Sequence, residues 1–195
     1  MESEINTPDK YAFVGAASTG KTTIFEALRE EYLTDPSIVF IEESGRPYFE
    51  SRPYFTEQQI FSPPVQKELQ GIILGKEQSA TEQNPQVIIC DRSVLDSPAH
   101  LYAMGDEEGT EELLENVQFW LSTYKLILLL DPEGVPFEND EARRESEQTR
   151  NRIHQGFIDF FAKYKIPYEL LSGSKEERIA RVKGLISKRI RTESA

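Results

Sequence analysis

The sequence predicts an α/β protein: a three-layer sandwich built on a five-stranded parallel sheet. Three observations predict it. Five short apolar runs recur along the chain, most of them ending in a polar residue or a glycine. Longer stretches with helical periodicity separate these runs. The first run leads directly into a glycine-rich turn and then into a helical pattern. Strands that alternate with helices pair in parallel through right-handed crossovers, and the helices cover both faces of the sheet.

Taken in order, residues 11–14 form a short apolar run ending at Gly15 and read as a buried strand. From Lys21 to about Tyr32, the apolar residues Ile24, Phe25, Ala27 and Leu28 recur at helical spacing. A second strand is expected over 37–41, ending at Glu42 and Glu43, and a third over 86–90, ending at Asp91. The fourth, over 125–130, ends at Asp131, and the fifth, over 166–171, ends at Ser172 and Gly173. Helices are expected over roughly 65–82, 93–104, 110–122, 141–164 and 174–190. In such sheets ligands bind beyond the carboxyl ends of the strands, so the polar residues at those ends are the functional candidates.

Bulk properties narrow the class. The 195 residues suit one domain over 1–195, with 131–145 as a polar excursion, the lid region. Hydrophobic content of 38% and charged content of 29% are ordinary for a globular protein. A net charge of −12 argues against general affinity for nucleic acid or an anionic membrane. Any polyanionic ligand must therefore meet a local basic site. The lone cysteine, Cys90, allows no intramolecular disulfide and fits a reducing compartment. Residues 1–10 are polar with no secretory apolar run, and the longest apolar run, 126–130, is too short to span a bilayer. A cytoplasmic protein is expected, its oligomeric state left open.

Residues 15–23 read GAASTGKTT and match the phosphate-loop pattern G-x-x-x-x-G-K-[ST] at Gly15, Gly20, Lys21 and Thr22. Glycine lets the backbone turn so that the N–H groups of Ala16, Ala17, Ser18, Thr19 and Thr23 can face phosphate oxygens. Lys21 is expected on the β- and γ-phosphates, and the Thr22 hydroxyl on Mg²⁺. The helix that follows adds the positive end of its dipole. The required context, strand before and helix after, is present.

The other strand ends supply candidate partners. Asp91 stands where P-loop proteins place an acid that serves Mg²⁺; the alternative is an N-cap for the next helix. Arg92 follows it in place of the glutamate that ATPases use to polarise an attacking water. Glu42, Glu43 and Arg46 lie past the second strand, where a carboxylate can orient an acceptor hydroxyl and take its proton. Which glutamate does so stays open at this point. Arg143, Arg144, Arg150 and Arg152 form a basic segment of an acidic chain. They suit either a transferring phosphoryl group or pairing with Glu141, Glu145 and Glu147 on a charged helix face. Arg143 is the favoured phosphoryl contact. Cys90 reads as core, His100 and His154 lack metal-ligand spacing, and the basic tail from Arg178 to Arg191 reads as an ordinary helix face.

Together these residues resemble the NadR-type branch of the P-loop ATPases, whose best-known member is a ribosylnicotinamide kinase. The shared features are GAASTGKTT, Glu43-Ser44-Gly45-Arg46 and the run from Cys90 through Asp91-Arg92-Ser93 to Asp96. The stretch from Pro136 to Arg143, then Ile166-Pro167-Tyr168, Gly173 and Glu177-Arg178, extends the likeness over about residues 11–190. Asp91-Arg92-Ser93 is also similar to an element of deoxynucleoside kinases. The resemblance implies a P-loop kinase-like fold, ATP, Mg²⁺ and an arginine-bearing lid. It further implies that Lys21 and Thr22 hold phosphates and metal, and that Asp91 serves Mg²⁺. Glu43, Arg46, Arg92 and Asp96 would face the acceptor, with Arg143 reaching in from the lid. No adenylyltransferase part is expected before the kinase-like residues.

Two functions follow. One is a small-molecule kinase acting on a nucleoside-like acceptor, nicotinamide riboside or a related nucleoside or nucleotide. The other is a nucleotide-binding regulatory module with little or no transfer. Arg46 and Arg52 keep a nucleoside monophosphate acceptor open. The acceptor pocket is expected within 43–75 and 92–104, where Tyr48, Phe49, Tyr54, Phe55 and Tyr102 are candidate stacking rings.

Overall fold

The computed structural model describes residues 7–137 and 146–192, with side chains described up to residue 187. The strands are β1 (Asp9–Val14), β2 (Ile38–Ile41), β3 (Val87–Asp91), β4 (Tyr124–Leu130) and β5 (Glu169–Leu171). They form one sheet of order β2-β3-β1-β4-β5, with every pairing parallel. β1 is central, so both of its edges are paired and all its side chains but Asp9 are buried. The chain runs to opposite sides of β1 through β3 and β4, and the crevice at such a reversal is where this architecture places ligands.

Pleating divides the strands between two cores. Tyr11 and Phe13 face α1 (Lys21–Glu31) and α8 (Lys175–Thr192), where Ile24, Leu28, Val182 and Ile186 are fully buried. Ala12 and Val14 face the other side, covered by α4 (Pro63–Glu82), α5 (Asp96–Met104) and α7 (Glu147–Tyr164). Each large apolar side chain removed from water there contributes roughly 1.5–3 kcal/mol. α7 crosses α5 very closely: a Cβ on Gly156 would lie 2.4 Å from the Cβ of Ala103. That glycine lets the helix carrying Asp96 and His100 seat firmly on α7.

At the amino end of β1 sits a buried ion pair. Lys10 Nζ donates to Glu77 Oε2 at 2.9 Å and to Thr123 Oγ1 at 3.0 Å, and it lies 4.2 Å from the Trp120 ring centroid. Trp120 Nε1 and the Tyr124 hydroxyl also donate to the Glu77 carboxylate. Every charge is paired, which a buried ion pair requires. The network ties α4 to β1 and to the 3₁₀ turn Gln118–Thr123, far from the strand ends that carry the functional candidates.

The expected elements are present with shifted bounds. The helix expected over 110–122 is α6 (Glu107–Val117) followed by the 3₁₀ turn, because Asp106 caps it by accepting from Gly109 N at 2.9 Å. The helix expected from 93 begins at Asp96, because Asp96 Oδ2 accepts from Ser93 N and closes a turn first. The fifth strand is shorter than 166–171, since Pro167 has no N–H to give a ladder. Two short helices were not expected, α2 (Gly45–Glu50) and α3 (Glu57–Ile60). α3 carries a Thr56/Gln59 capping box, a sequence signature in its own right. The helix expected over 141–164 is described from Glu147; residues 138–145, with Arg143 and Arg144, lie outside the described residues. Among the described residues no helix is long and apolar enough to cross a membrane.

Candidate functional site

The loop between β1 and α1 is built from unusual backbone. Gly15, Ser18 and Gly20 have φ of 126°, 52° and 87°. At Gly15 a side chain is excluded twice over, by this φ and by Leu129 Cδ1, 3.2 Å from the position of a Cβ. Gly20 is the N-cap of α1, which has no side-chain cap and no acid in its first turn. The first N–H groups of the helix therefore keep their positive potential for an anion.

Lys21 is buried and folds back over the loop. Its Nζ donates to Ala16 O at 2.6 Å and Gly15 O at 3.0 Å. Burial, with the neighbouring charge of Arg92, lowers its pKa from 10.5 to about 8. It remains cationic at neutral pH, and held this way it is poised for phosphate oxygens. A second basic group holds the loop from outside. Arg178 of α8 is buried, donating from Nη1 to Thr19 O at 3.1 Å and from Nε to Gly173 O at 2.8 Å. Arg178 is thus no member of an ordinary solvent-facing helix side; it fastens α8 and the β5–α8 turn to the phosphate loop.

At the ends of β2 and β3 the carboxylates gather around one guanidinium. Arg92 Nε donates to Glu43 Oε1 at 2.7 Å, and Arg92 Nη1 donates to Asp96 Oδ1 at 2.9 Å and to Gly15 O at 3.3 Å. Arg92 adopts φ 85°, a left-handed backbone costly for an arginine, while its N–H bonds Phe13 O at 2.9 Å. Burial alone would raise Glu43; Arg92 and then Lys21 override it and bring the carboxyl down to about 2. Burial raises Asp96, with Arg92 and the Ser93 N–H opposing.

Asp91 is at the tip of β3 and is not a helix cap; the residue before α5 is Leu95. Thr22 Oγ1 donates to Asp91 Oδ2 at 2.9 Å, and Asp91 Oδ1 is buried with no hydrogen-bond partner. An orphaned carboxylate oxygen beside a threonine hydroxyl is the donor set a hard divalent cation takes, so the residues present fit Mg²⁺. Burial and then the Glu43 charge raise Asp91 to about 6. Mg²⁺-dependent nucleotide binding is accordingly expected to weaken as pH falls through about 6. The inflection should move to lower pH as Mg²⁺ is raised, since metal and proton compete. Titration of a fluorescent ATP analogue at two Mg²⁺ concentrations measures this; an inflection that Mg²⁺ leaves in place belongs to another group. Because the folded value is the raised one, the ionised Asp91 also costs stability at neutral pH, a cost that disappears as pH falls toward the unfolded value.

One cleft connects these groups. It runs from residues 17–23 past Glu43, Arg46, Arg92 and Asp96 into an end walled by Phe49, Ile60, Phe61 and Leu69. Gly15 and Ala16 stand behind the loop and contribute their carbonyls to Lys21. Glu42 is not brought in: it is exposed, pairs with Arg29, and its carbonyl accepts from Lys76. Of the five aromatics expected in the acceptor pocket, only Phe49 lines the cleft. Tyr48 packs on Val65 and Leu69, Phe55 packs against that cluster, Tyr54 is exposed, and Tyr102 packs on Phe160 and Tyr164. Phe61, Gln66 and His100 line it as well, all three within the stretches 43–75 and 92–104 where the pocket is expected. Arg150 is buried and donates to Val135 O at 3.0 Å, so it braces the stretch leading out of β4. Arg152 donates to Ala103 O on α5.

A domain built on a phosphate loop with an acid at the neighbouring strand tip is a P-loop nucleotide-binding domain. The chain belongs to the family described as "AAA domain", whose profile matches residues 10–178. No curated protein matches it significantly. Among solved structures it is similar to the NadR protein in complex with NAD and AMP-PNP, at 18% identity and TM-score 0.65, covering 94% of this chain and 49% of that one. It is also similar to the NadR protein in complex with NR, at 16% identity, TM-score 0.68, and 92% and 49% coverage. Deoxyadenosine kinase from M. mycoides with bound dATP matches at 15% identity and TM-score 0.62, covering 92% of this chain and 99% of that one. These likenesses show a P-loop kinase fold. The chain spans about half the length of the NadR structures it matches.

Proposed function

We propose that this protein is an ATP- and Mg²⁺-dependent phosphotransferase of the cytoplasm that moves the γ-phosphoryl group to a hydroxyl of a nucleoside-like small molecule. The observation that carries this is the single cleft joining the phosphate loop to a carboxylate–guanidinium cluster and then to an apolar end. The kinases that share the fold, and the NR bound to one of them, support an acceptor of this class.

The chemistry asked of these residues is positioning and charge compensation. The loop N–H groups and Lys21 hold the phosphates. Thr22 and Asp91 would hold Mg²⁺, which when bound neutralises charge on the β- and γ-phosphates. Glu43 accepts a hydrogen bond from the acceptor hydroxyl, whose oxygen attacks the γ-phosphorus while the bond to the β-phosphate oxygen breaks and ADP leaves. The hydroxyl proton passes to Glu43 late, as befits a weakly basic carboxylate in a loose transition state. Arg92 keeps Glu43 aimed. Arg46 stands beside the acceptor, and Arg143, outside the described residues, is assigned to the transferring phosphoryl group on its sequence position.

A panel of nucleosides and mononucleotides incubated with ATP and Mg²⁺, read by mass gain of one phosphoryl group, tests the proposal. Absence of product across the panel overturns it. Glu43→Gln keeps an oxygen for Arg92 Nε yet removes the proton acceptor. Turnover should fall roughly 10²- to 10⁴-fold while ATP affinity stays within about threefold. A specific observation favours the second reading, a nucleotide-binding regulator: Glu43 is held at about 2 by Arg92 and Lys21, so it is an oriented but weak base. Unchanged ATP turnover in Glu43→Gln supports that reading.

A further inference from the structure

The apolar end of the cleft contains two polar groups whose proton positions the backbone dictates. Gln66 of α4 is buried, and its Nε2 donates to Ile60 O at 2.8 Å. A main-chain carbonyl can only accept, so the orientation of this amide is fixed. Gln66 Oε1 therefore points the other way, where it lies 3.4 Å from His100 Nδ1. Oxygen facing a ring nitrogen calls for an N–H on that nitrogen. The imidazole is held in place by edge-on contacts with Phe61 and Phe157, at centroid distances of 5.5 Å and 5.6 Å. Burial, and then the charges of Arg92 and Lys21, keep it neutral by lowering its pKa well below 6.5. A neutral imidazole with its proton on Nδ1 has a bare lone pair on Nε2. None of the hydrogen bonds among the described residues reaches that atom, and His100 lines the cleft.

We propose that His100 Nε2 is an obligate acceptor that reads a donor on the ring of the bound acceptor molecule, selecting planar heterocycles with an amine or carboxamide N–H over isosteres that lack one. This rests on the phosphotransferase reading for which molecule occupies the cleft, and it adds what that molecule must present. Ile60, Phe61, Leu69 and Ile73 make the cleft wall apolar, and the polar side chains that share the cleft, Arg92, Asp96 and Ser97, are not hydrogen-bonded to His100. A ring with a bare edge leaves the imidazole lone pair unpaired, and a ring with a carbonyl there sets two lone pairs against each other. Ile60 and Gln66 act through His100 and are positioning residues.

The test uses matched ligand pairs: adenosine against purine riboside, and nicotinamide riboside against its carboxylate analogue. Binding is read by calorimetry, and transfer by product mass with ATP. The parent protein should favour the N–H-bearing member of the better-bound pair by roughly tenfold to a hundredfold, mostly in KM or Kd. His100→Phe retains the edge-on packing and should bring the two members within about twofold. Gln66→Leu frees the tautomer, so the preference should shrink or invert; with the parent data it decides the matter if His100→Phe does not fold. Equal affinity for both members in the parent, a preference kept in His100→Phe, or no binding by any of the four overturns the inference. Selective binding without transfer supports it and overturns the phosphotransferase reading alone.

Discussion

Replacing Lys21 by methionine should lower phosphoryl transfer by about 10³-fold or more and leave the folded protein no less stable. The two effects have one origin. Lys21 is buried under the loop that it serves, and its pKa of about 8, against 10.5 unperturbed, measures how poorly the folded protein solvates the ammonium. At neutral pH that difference amounts to roughly 3 kcal/mol of stability given up to keep a cation where phosphate will be. Part is recovered through the Gly15 and Ala16 carbonyls, which in the methionine variant keep only Arg92 Nη1 and Thr19 Oγ1 as donors. The folded value is the lower one, so the penalty is full below about pH 8 and fades as pH rises toward 10.5. Thermal unfolding of parent and Lys21→Met across that range should show the parent gaining on the variant as pH increases. In the presence of ATP the order reverses, because only the parent is stabilised strongly by ligand. A variant that melts far below the parent at pH 7 without ligand would make Lys21 a structural residue first.

How much of this site the sequence discloses depends on how local its physics is. The phosphate loop is contiguous, and its glycines, lysine and threonine sit where its strand and helix require. Asp91 and Glu43 were accessible because parallel strands place their carboxyl ends together, so two separate acidic strand ends become neighbours. Spacing does not separate the two glutamates, whereas their placement differs: Glu42 is exposed beside Arg29, and Glu43 pairs with Arg92. Arg178 was hidden because its partner, Thr19, is 159 residues away, and a cation in a basic helix reads as a surface residue until that contact is seen. His100 and Gln66 were hidden for another reason. Their role follows from a proton position fixed by the Ile60 carbonyl, and no residue pattern encodes that. Among the candidate rings Phe49 lines the cleft, while Tyr48 does not, because α2 turns it onto Val65 and Leu69 and its ring completes a small core.

Arg92→Ala should be the most damaging single change to fold and function together. In the parent, this one guanidinium is the counter-ion of both Glu43 and Asp96, at 2.7 Å and 2.9 Å, with little of any of the three exposed. Removing it leaves two buried carboxylates without their hydrogen-bonded counter-ion, with Lys21 as the remaining cation that acts on both, and breaking one buried pair costs about 3–5 kcal/mol. Relief of the φ 85° backbone returns little, because alanine also disfavours that region; Arg92→Gly should therefore be the milder truncation by about 1 kcal/mol. Lysine at this position supplies charge without the planar fork, and cannot reach both carboxylates in the same geometry. The pH dependence separates lost charge from lost packing. Glu43 has a folded pKa of about 2, below its unfolded value of 4.5, so its contribution is present above 4.5 and lost as pH falls toward 2. In Arg92→Ala both carboxyls take up protons at higher pH, so the stability gap to the parent should narrow as pH falls from 7 toward 4. Denaturant melts at several pH values, with ATP turnover measured on Arg92→Lys, examine both halves. A gap that stays constant with pH would mean that Arg92 holds the β3–α5 turn by its side-chain contact with Gly15 O rather than by pairing with the two carboxylates.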